Sequence, residues 1–290
     1  MDTSMKKWTL TRIAPNVHAL DLNMDHIGES VECLFQADEH WDNAHCRLDL
    51  LKRHHEEAKA LAAPIFKFGD TFCAMQGKWD KRASQSQLRP EHRGSNYLDA
   101  LVKTASDWFR PYQENIALIC PGNHETSILK RHETNLTERL CDRLGVEMGG
   151  YWGYVIVRLN RRVKGGRKSS YALHIHYHHG YGGGGEVTRG LIDNNRTRGQ
   201  YLADIYFSGH IHRRNMDENQ IVLCNRYGRI ETREQVFLRL GTYKAEHDEP
   251  GGYHVESGRA ARPLGGWWVK FTYAKEGDLH ILKYEERRAK

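Results

Sequence analysis

Short apolar runs that each lead into an aspartate, asparagine or histidine, separated by amphipathic helical patterns, predict a layered α/β fold of central mixed β-sheets flanked by helices. The runs occupy residues 31–37, 64–68, 115–120, 171–177 and 201–207, and each has the length of a buried strand. Between them, residues 47–62 carry Leu48, Leu51, His55 and Ala58 on one stripe, and residues 96–108 and 134–144 repeat that periodicity.

Later in the chain the pattern changes. Residues 154–159 and 171–177 read as the arms of a hairpin whose turn is the basic, glycine-containing stretch 161–170, and residues 220–224 and 235–241 suggest further antiparallel pairing. Residues 267–271, Trp-Trp-Val-Lys-Phe, read as a core strand. Glycine-rich stretches at 180–185 and 246–266 are expected to be surface loops close to the site. With no internal repeat and no low-complexity linker, the 290 residues are read as a single domain, 1–290, with its core at about 31–245.

Composition narrows the class. Six cysteines (Cys33, Cys46, Cys73, Cys120, Cys141 and Cys224) are scattered without a CxxC pair and are expected to be reduced core residues, not a disulfide framework or a zinc knot. The N-terminus has no apolar signal-peptide core and no stretch approaches the roughly 20 apolar residues of a membrane span, so no membrane partner and a cytoplasmic location are expected. A net charge of +6 from 43 basic and 37 acidic residues is a mild excess that is compatible with nucleic acid but does not by itself call for it. The 18 histidines are the more pointed signal, since neutral imidazole ligates transition metals and several histidines follow apolar runs.

Taken in order, the strand ends spell Asp38-Glu39-His40, Gly69-Asp70, Gly122-Asn123-His124-Glu125, His179-Gly180 and Gly209-His210-Ile211-His212. This series resembles the calcineurin-like metallophosphoesterase superfamily, whose pattern is DxH, GD, GNH(D/E), a lone histidine and GHxH. The match runs from Asp38 to His212, with the short spacings of stand-alone bacterial or phage enzymes. Each piece alone is weak; the ordered set is specific. The resemblance implies a metallophosphoesterase fold with its metal site at the C-terminal ends of the strands. It also implies two divalent cations, with Asp38, His40 and His212 on the first, Asn123, His179 and His210 on the second, and Asp70 bridging both. His124 would face the substrate, with Glu125 as an orienting partner.

The chemistry accounts for these residue types. Two cations about 4 Å apart neutralise the phosphate oxygens that repel a nucleophile and supply hydroxide near neutral pH. Carboxylate and amide oxygens mixed with imidazole suit manganese first, then iron, zinc, cobalt or nickel, and the absence of thiolate disfavours a structural zinc. If the GHxH backbone is extended, His210 and His212 lie on one face. By the same parity Leu173, Ile175, Tyr177 and His179 share a face, which favours His179 over His178.

Other features are weighed against plainer readings. Asp25-His26 lacks the DxH spacing, with Met24 where the aspartate would lie. The run 180–185 lacks the lysine and helix start of a P-loop and reads as a turn. Arg82 is a candidate substrate contact, as are Lys81 and Arg213, although each is more often a plain surface cation. Cys73 stands where many relatives carry aspartate or asparagine, which weakens kinship to the repair nucleases. The expected function is hydrolysis of a phosphate ester, as phosphodiesterase or phosphatase, by in-line attack of metal-activated hydroxide. Alternatives are a DNA nuclease, with Trp79 or Tyr181 stacking bases, a phosphoprotein phosphatase, and a non-catalytic metal-containing binding or assembly module. No protein partner is indicated.

Overall fold

The computed structural model describes residues 6–75, 87–183, 185–245, 247, 253–256 and 258–290. Two mixed sheets lie face to face. The first has seven strands: β1 (Trp8–Ala14), β2 (Val17–Asn23), β7 (Trp152–Val163), β8 (Gly166–His178), β9 (Ile205–Ser208), β11 (Ile230–Arg239) and β10 (Asn215–Cys224), in that spatial order. The second has six: β13 (Leu279–Arg288), β12 (Trp267–Glu276), β3 (Ser30–Gln36), β4 (Ile65–Phe68), β5 (Ile116–Cys120) and β6 (Glu147–Met148). Strands β3, β4, β5 and β6 are parallel, as are β8, β9 and β11, while the remaining pairs are mostly antiparallel.

Alternation along the strands sends one face of each sheet into a shared core. Leu173, Ile175 and Tyr177 of β8 and Ile205 and Phe207 of β9 meet Cys33 and Phe35 of β3 and Phe66 and Phe68 of β4. The aromatic members stack across the gap. Phe35 and Phe207 have centroids 4.1 Å apart, and Phe68 and Tyr177 lie 4.6 Å apart and nearly coplanar. Each buried ring contributes about 1.5–3 kcal/mol of transfer free energy. Phe68, Tyr177 and Phe207 each stand one or two residues before a candidate ligand or the glycine preceding it, so the stack is the floor on which the site rests.

The outer face of the six-stranded sheet is covered by α1 (Leu48–Leu61), α2 (Tyr97–Phe109), α3 (Asn123–His132) and α4 (Leu136–Leu144), whose Leu51, Ala58, Val102, Phe109 and Leu140 pack on Leu34, Ile65 and Ile119. Asn135 caps α4 by accepting from the Glu138 N–H at 3.2 Å. α5 (Leu191–Gln200) sits against the seven-stranded sheet through Arg198, which donates to Asp217, and through Arg239, which donates to Asn194. A one-turn helix, α6 (Tyr253–Glu256), precedes β12.

The α/β expectation matches this architecture, with differences of detail. The basic stretch 161–170 is not a long turn: β7 and β8 pair through it as far as Val163 and Gly166, leaving Lys164-Gly165 as a two-residue turn with Gly165 at φ +94°. The run 201–207 is strand only from Ile205. Five cysteines are buried, whereas Cys224 is exposed at the end of β10. Among the described residues no helix is long and apolar enough to cross a membrane.

Candidate metal centre

The loops leaving the C-terminal ends of β3, β4, β5, β8 and β9 converge, and their backbones are zipped together beyond the strands. The Asp38 N–H donates to Gly69 O at 3.0 Å, His40 N–H to Asp70 O at 3.1 Å, and Gly209 N–H to His179 O at 2.8 Å. Side chains are brought inward by backbone that few residues tolerate. Asp38, His40, Asp70, His210 and His212 all have φ between 51° and 70°, a left-handed region that is costly away from glycine and clusters at functional sites. His210 and His212 are therefore not side by side on an extended strand, as their spacing suggested. Each turns inward through its own left-handed residue, with Ile211 buried between them.

Close glycines make room. A Cβ on Gly122 would lie 2.1 Å from Asp70 Oδ1, one on Gly69 would lie 2.2 Å from His179 Nδ1, and one on Gly209 would lie 2.5 Å from Asp38 Oδ2. The glycine in each GD, GN and GH pair is thus a steric requirement for the ligand cage, not a hinge.

All seven side chains named from the sequence come together in two groups. Asp38, His40 and His212 offer atoms within 4.8 Å of one another, as do Asp70, His179 and His210. In the first group His40 Nε2 and His212 Nε2 face each other at 2.9 Å, with Asp38 Oδ1 3.4 Å from His212 Nε2. Two nitrogens in adjacent positions on one cation, each bound at about 2.1 Å, stand about 3 Å apart. Asp38 Oδ1 is fully buried and has no hydrogen-bond partner. In the second group Asn123 Oδ1 lies 3.0 Å from His179 Nε2 and 2.7 Å from His210 Nδ1, and Asp70 Oδ2 lies 3.3 Å from His179 Nε2.

The tautomers decide what these contacts mean. His179 Nδ1 lies 2.9 Å from Phe68 O and His210 Nε2 lies 3.0 Å from Gly182 O; a carbonyl only accepts, so both nitrogens are the protonated ones. The His210 nitrogen turned toward Asn123 is then bare and faces Asn123 Oδ1 at 2.7 Å, two lone pairs that a cation between them would satisfy. The carbonyls are the outer partners that fix ligating histidines elsewhere.

Electrostatics agree. Burial, with His212 and His124 nearby, keeps His40 neutral, well below the usual histidine range, and burial beside His179 lowers His210. Burial opposes a charge on His179 as well, but the Asp70 carboxylate outweighs it and holds the imidazole up at about 10, so without a cation Nε2 carries a proton toward Asp70, and a cation would take that proton's place. The same contacts keep Asp70 ionised despite its burial. The residues thus fit a pair of divalent cations, with Asp70 beside both sets of donors.

His124 opens α3. Its Nδ1 donates to Cys73 O, which leaves Nε2 3.7 Å from Asp70 Oδ2. Glu125 does not orient it, contrary to expectation: the Glu125 carboxylate accepts from the N–H groups of Gly122 at 2.8 Å, Phe72 at 2.8 Å and Asp70 at 3.2 Å, tying β4 to β5 beneath the centre. The orienting group is the Cys73 main chain. The Cys73 side chain lies near His40 and His124, and burial pushes its thiol up to about 12.

Several supporting residues escaped the sequence reading. Lys67 and Glu39 form a fully buried ion pair at 2.7 Å, joined by Gln36, and so brace the residue between Asp38 and His40. A lysine in an apolar strand was the available signal. Tyr151 donates to Gly180 O at 3.0 Å, with its ring edge-on to His179. His178 accepts from the Gly180 N–H at 2.9 Å and so faces away from the ligand group. Arg213 does not project freely; it is paired with Glu186. Arg82, Lys81 and Trp79 lie outside the described residues.

No protein-family model matches the chain, and no curated protein sequence matches it. Solved structures do. Vacuolar protein sorting 29 from Cryptosporidium parvum is 14% identical, with 91% of this chain and 100% of that chain covered and a TM-score of 0.31. A predicted phosphoesterase from Streptococcus pneumoniae is 12% identical, covering 89% and 99%, with a TM-score of 0.32. GAP50, the anchor in the inner membrane complex of Plasmodium, is 11% identical, covering 90% and 85%, with a TM-score of 0.43.

Proposed function

We propose that this chain is a calcineurin-like metallophosphoesterase: a hydrolase of phosphate esters that works with two divalent cations, manganese first among them. Asp38, His40 and His212 would hold one cation, Asn123, His179 and His210 the other, and Asp70 both. The observation that carries the proposal is the convergence of Asn123 Oδ1, His179 Nε2 and His210 Nδ1 beside the buried Asp70 carboxylate, next to the facing His40 and His212 nitrogens and an Asp38 oxygen without a hydrogen-bond partner. A non-catalytic module would need the cage but not His124, whose Nε2 is aimed at the same carboxylate.

When bound, the cations would neutralise the ester's anionic oxygens and make hydroxide available. The chain's own groups do the rest. His124, held through Nδ1–H by Cys73 O, presents Nε2 toward the cage, where in its protonated form it can give a proton to the departing ester oxygen. Glu125 fixes the separation of Asp70 and Asn123 by gripping the backbone of both loops.

The choice between a small ester and a long nucleic acid turns on where positive charge sits. The densest basic stretch, Arg161, Arg162, Lys164, Arg167 and Lys168, lies at the turn between β7 and β8. That is the opposite end of β8 from His179, about 40 Å away along a 13-residue strand. A backbone threaded through the centre would not meet it, so this stretch does not support a duplex at the centre.

The test is hydrolysis of bis(p-nitrophenyl) phosphate and of the diester of dithymidine with manganese, by wild type, Asp70→Asn and His124→Ala, with bound metal measured on each. Expected are two equivalents of metal and turnover in wild type, lost metal in Asp70→Asn, and retained metal in His124→Ala with the diester of dithymidine, whose leaving oxygen needs a proton, slowed about a hundredfold and bis(p-nitrophenyl) phosphate, whose leaving group needs none, slowed less. A metal-loaded wild type inert toward every phosphate ester would overturn the proposal.

A further inference from the structure

Beyond the cage, beside His212, lies a charge arrangement that the proposed chemistry does not use. Arg213 and Arg262 share one carboxylate, that of Glu186. Both guanidinium side chains are largely buried, at 12% and 7% exposure, whereas Glu186 is 48% exposed. Arg262 also donates to Ile211 O, which seats it against the loop that carries both His210 and His212, and its Nε is buried without a hydrogen-bond partner. Arg213 further reaches Glu186 O at 3.4 Å. Among the described residues, two positive charges thus stand against one negative charge.

Glu186 arrives on the segment that follows Gly180. A Cβ on Gly183 would meet nothing within 4 Å, and one on Gly182 or Gly185 would make only ordinary contact at 3.9 and 3.5 Å. The backbone here is tied by His210 Nε2 to Gly182 O at 3.0 Å and by the Arg189 N–H to Gly185 O at 2.8 Å, whereas the Glu186 carboxylate itself is held by the two arginines and can leave them by rotation of its side chain. Its two oxygens, one on each guanidinium, have the spacing of the oxygens of a phosphate or a second carboxylate.

We propose that Arg213 and Arg262 form a subsite for a second anionic group of the ester substrate, and that Glu186 fills this subsite until substrate displaces it. The reading rests on the proposed esterase function. It assigns the substrate class: phosphate esters that carry another phosphate close to the scissile one. Such a group comes from a nucleoside 3′,5′-bisphosphate, whose 3′ ester bond would be broken by water to give nucleoside 5′-phosphate and inorganic phosphate, or from a 5′-phosphorylated dinucleotide, whose diester bond would be broken to give two mononucleotides, and the two sources are separated by experiment.

Hydrolysis of adenosine 3′,5′-bisphosphate and of 5′-phosphorylated dithymidine is compared with that of bis(p-nitrophenyl) phosphate, which has no second anion. The quantity read is the ratio of kcat/KM for each doubly anionic substrate to that for the plain diester. Arg262→Ala is expected to lower that ratio about tenfold and Glu186→Gln to raise it severalfold, with the affected substrate naming the source. If Glu186 is only a latch that orders its segment over His210, Glu186→Gln lowers activity on all three alike and the ratio stays fixed, which overturns the subsite. A second readout is independent of turnover: calorimetric titration of the metal-free protein with inorganic pyrophosphate. Binding is expected to tighten severalfold in Glu186→Gln and weaken about tenfold in Arg262→Ala. Equal binding by all three proteins overturns the subsite even where the esterase reading holds, and graded binding without any turnover retains the subsite while removing that reading.

Discussion

Two sets of glycines border the same centre, and they serve opposite ends. Gly69, Gly122 and Gly209 leave no room for a methyl group: each would put a Cβ within 2.5 Å of a candidate ligand. Gly182, Gly183 and Gly185 have room to spare. The first set lets five loops close on one another until the candidate ligand side chains meet. The second carries Glu186 across the rim, where its carboxylate is retained by charge and its backbone by single hydrogen bonds at Gly182 O and Gly185 O. The difference teaches that the centre is a rigid cage with a loosely held border, so that substitutions of identical size should have very different effects on the two sides.

The largest effect is expected from Gly122→Ala. Its Cβ would come within 2.1 Å of Asp70 Oδ1 and 2.4 Å of the Asp70 backbone nitrogen, and neither can retreat, because Glu125 grips the same backbone. Overpacking of this kind costs about 1–3 kcal/mol, and the displaced carboxylate should leave the protein with less than half its metal. Urea denaturation and metal analysis check both. A variant that still binds two equivalents would show the cage to be less rigid than its contacts indicate.

Next comes Asp70→Asn, which keeps the shape and removes the charge. Manganese should raise the melting temperature of wild type by mass action on the folded state, and this gain should nearly vanish in the variant. Differential scanning calorimetry with and without metal is the check. Should the gain persist in full, Asp70 does not bridge the two donor groups.

Much of the cage was legible in the sequence because each candidate ligand follows a short apolar run, often with a glycine beside it, and that pairing survives in one dimension. What fixes the ligands was not legible. The acceptors that set the histidine tautomers are Phe68 O, Gly182 O and Cys73 O, main-chain atoms that carry no residue identity. The left-handed turns at Asp38, His40, His210 and His212 likewise have no signature, since aspartate and histidine serve equally well in extended chain. α3 was missed because its buried residues are only Glu125 and Ile128, too few for a helical stripe, and α5 because its buried residues are Asn194 and Thr197. The partners of Arg213 could not be read at all, for Glu186 and Arg262 are distant in sequence and meet only in the fold.

A histidine away from the cage separates burial from coordination. His176 is as buried as His40, stacks on Tyr201 at 4.2 Å, and has no hydrogen-bond partner on either ring nitrogen. Burial, with His178 nearby, lowers it to about 3. The unfolded chain therefore binds a proton near pH 6.5 that the folded chain refuses until about pH 3, so stability is full above pH 6.5 and falls as the pH drops through that window. At pH 5 the loss is about 2 kcal/mol. His176→Phe should flatten this acid limb and leave the metal-dependent rise in melting temperature intact. If the variant loses that rise, the two histidine sites are not independent.

The smallest effect is expected at the rim. Gly183→Ala adds the same methyl group as Gly122→Ala, but into open space, and Gly183 is not among the glycines at positive φ. Its cost in the folded state should be close to zero, and restricting the unfolded chain should even stabilise the protein by about 0.4–1 kcal/mol. Metal content should not change, because no ligand is within reach of the new atom. Denaturant melts and metal analysis side by side with Gly122→Ala make the comparison direct: equal damage from the two methyl groups would mean that the rim is packed as tightly as the cage.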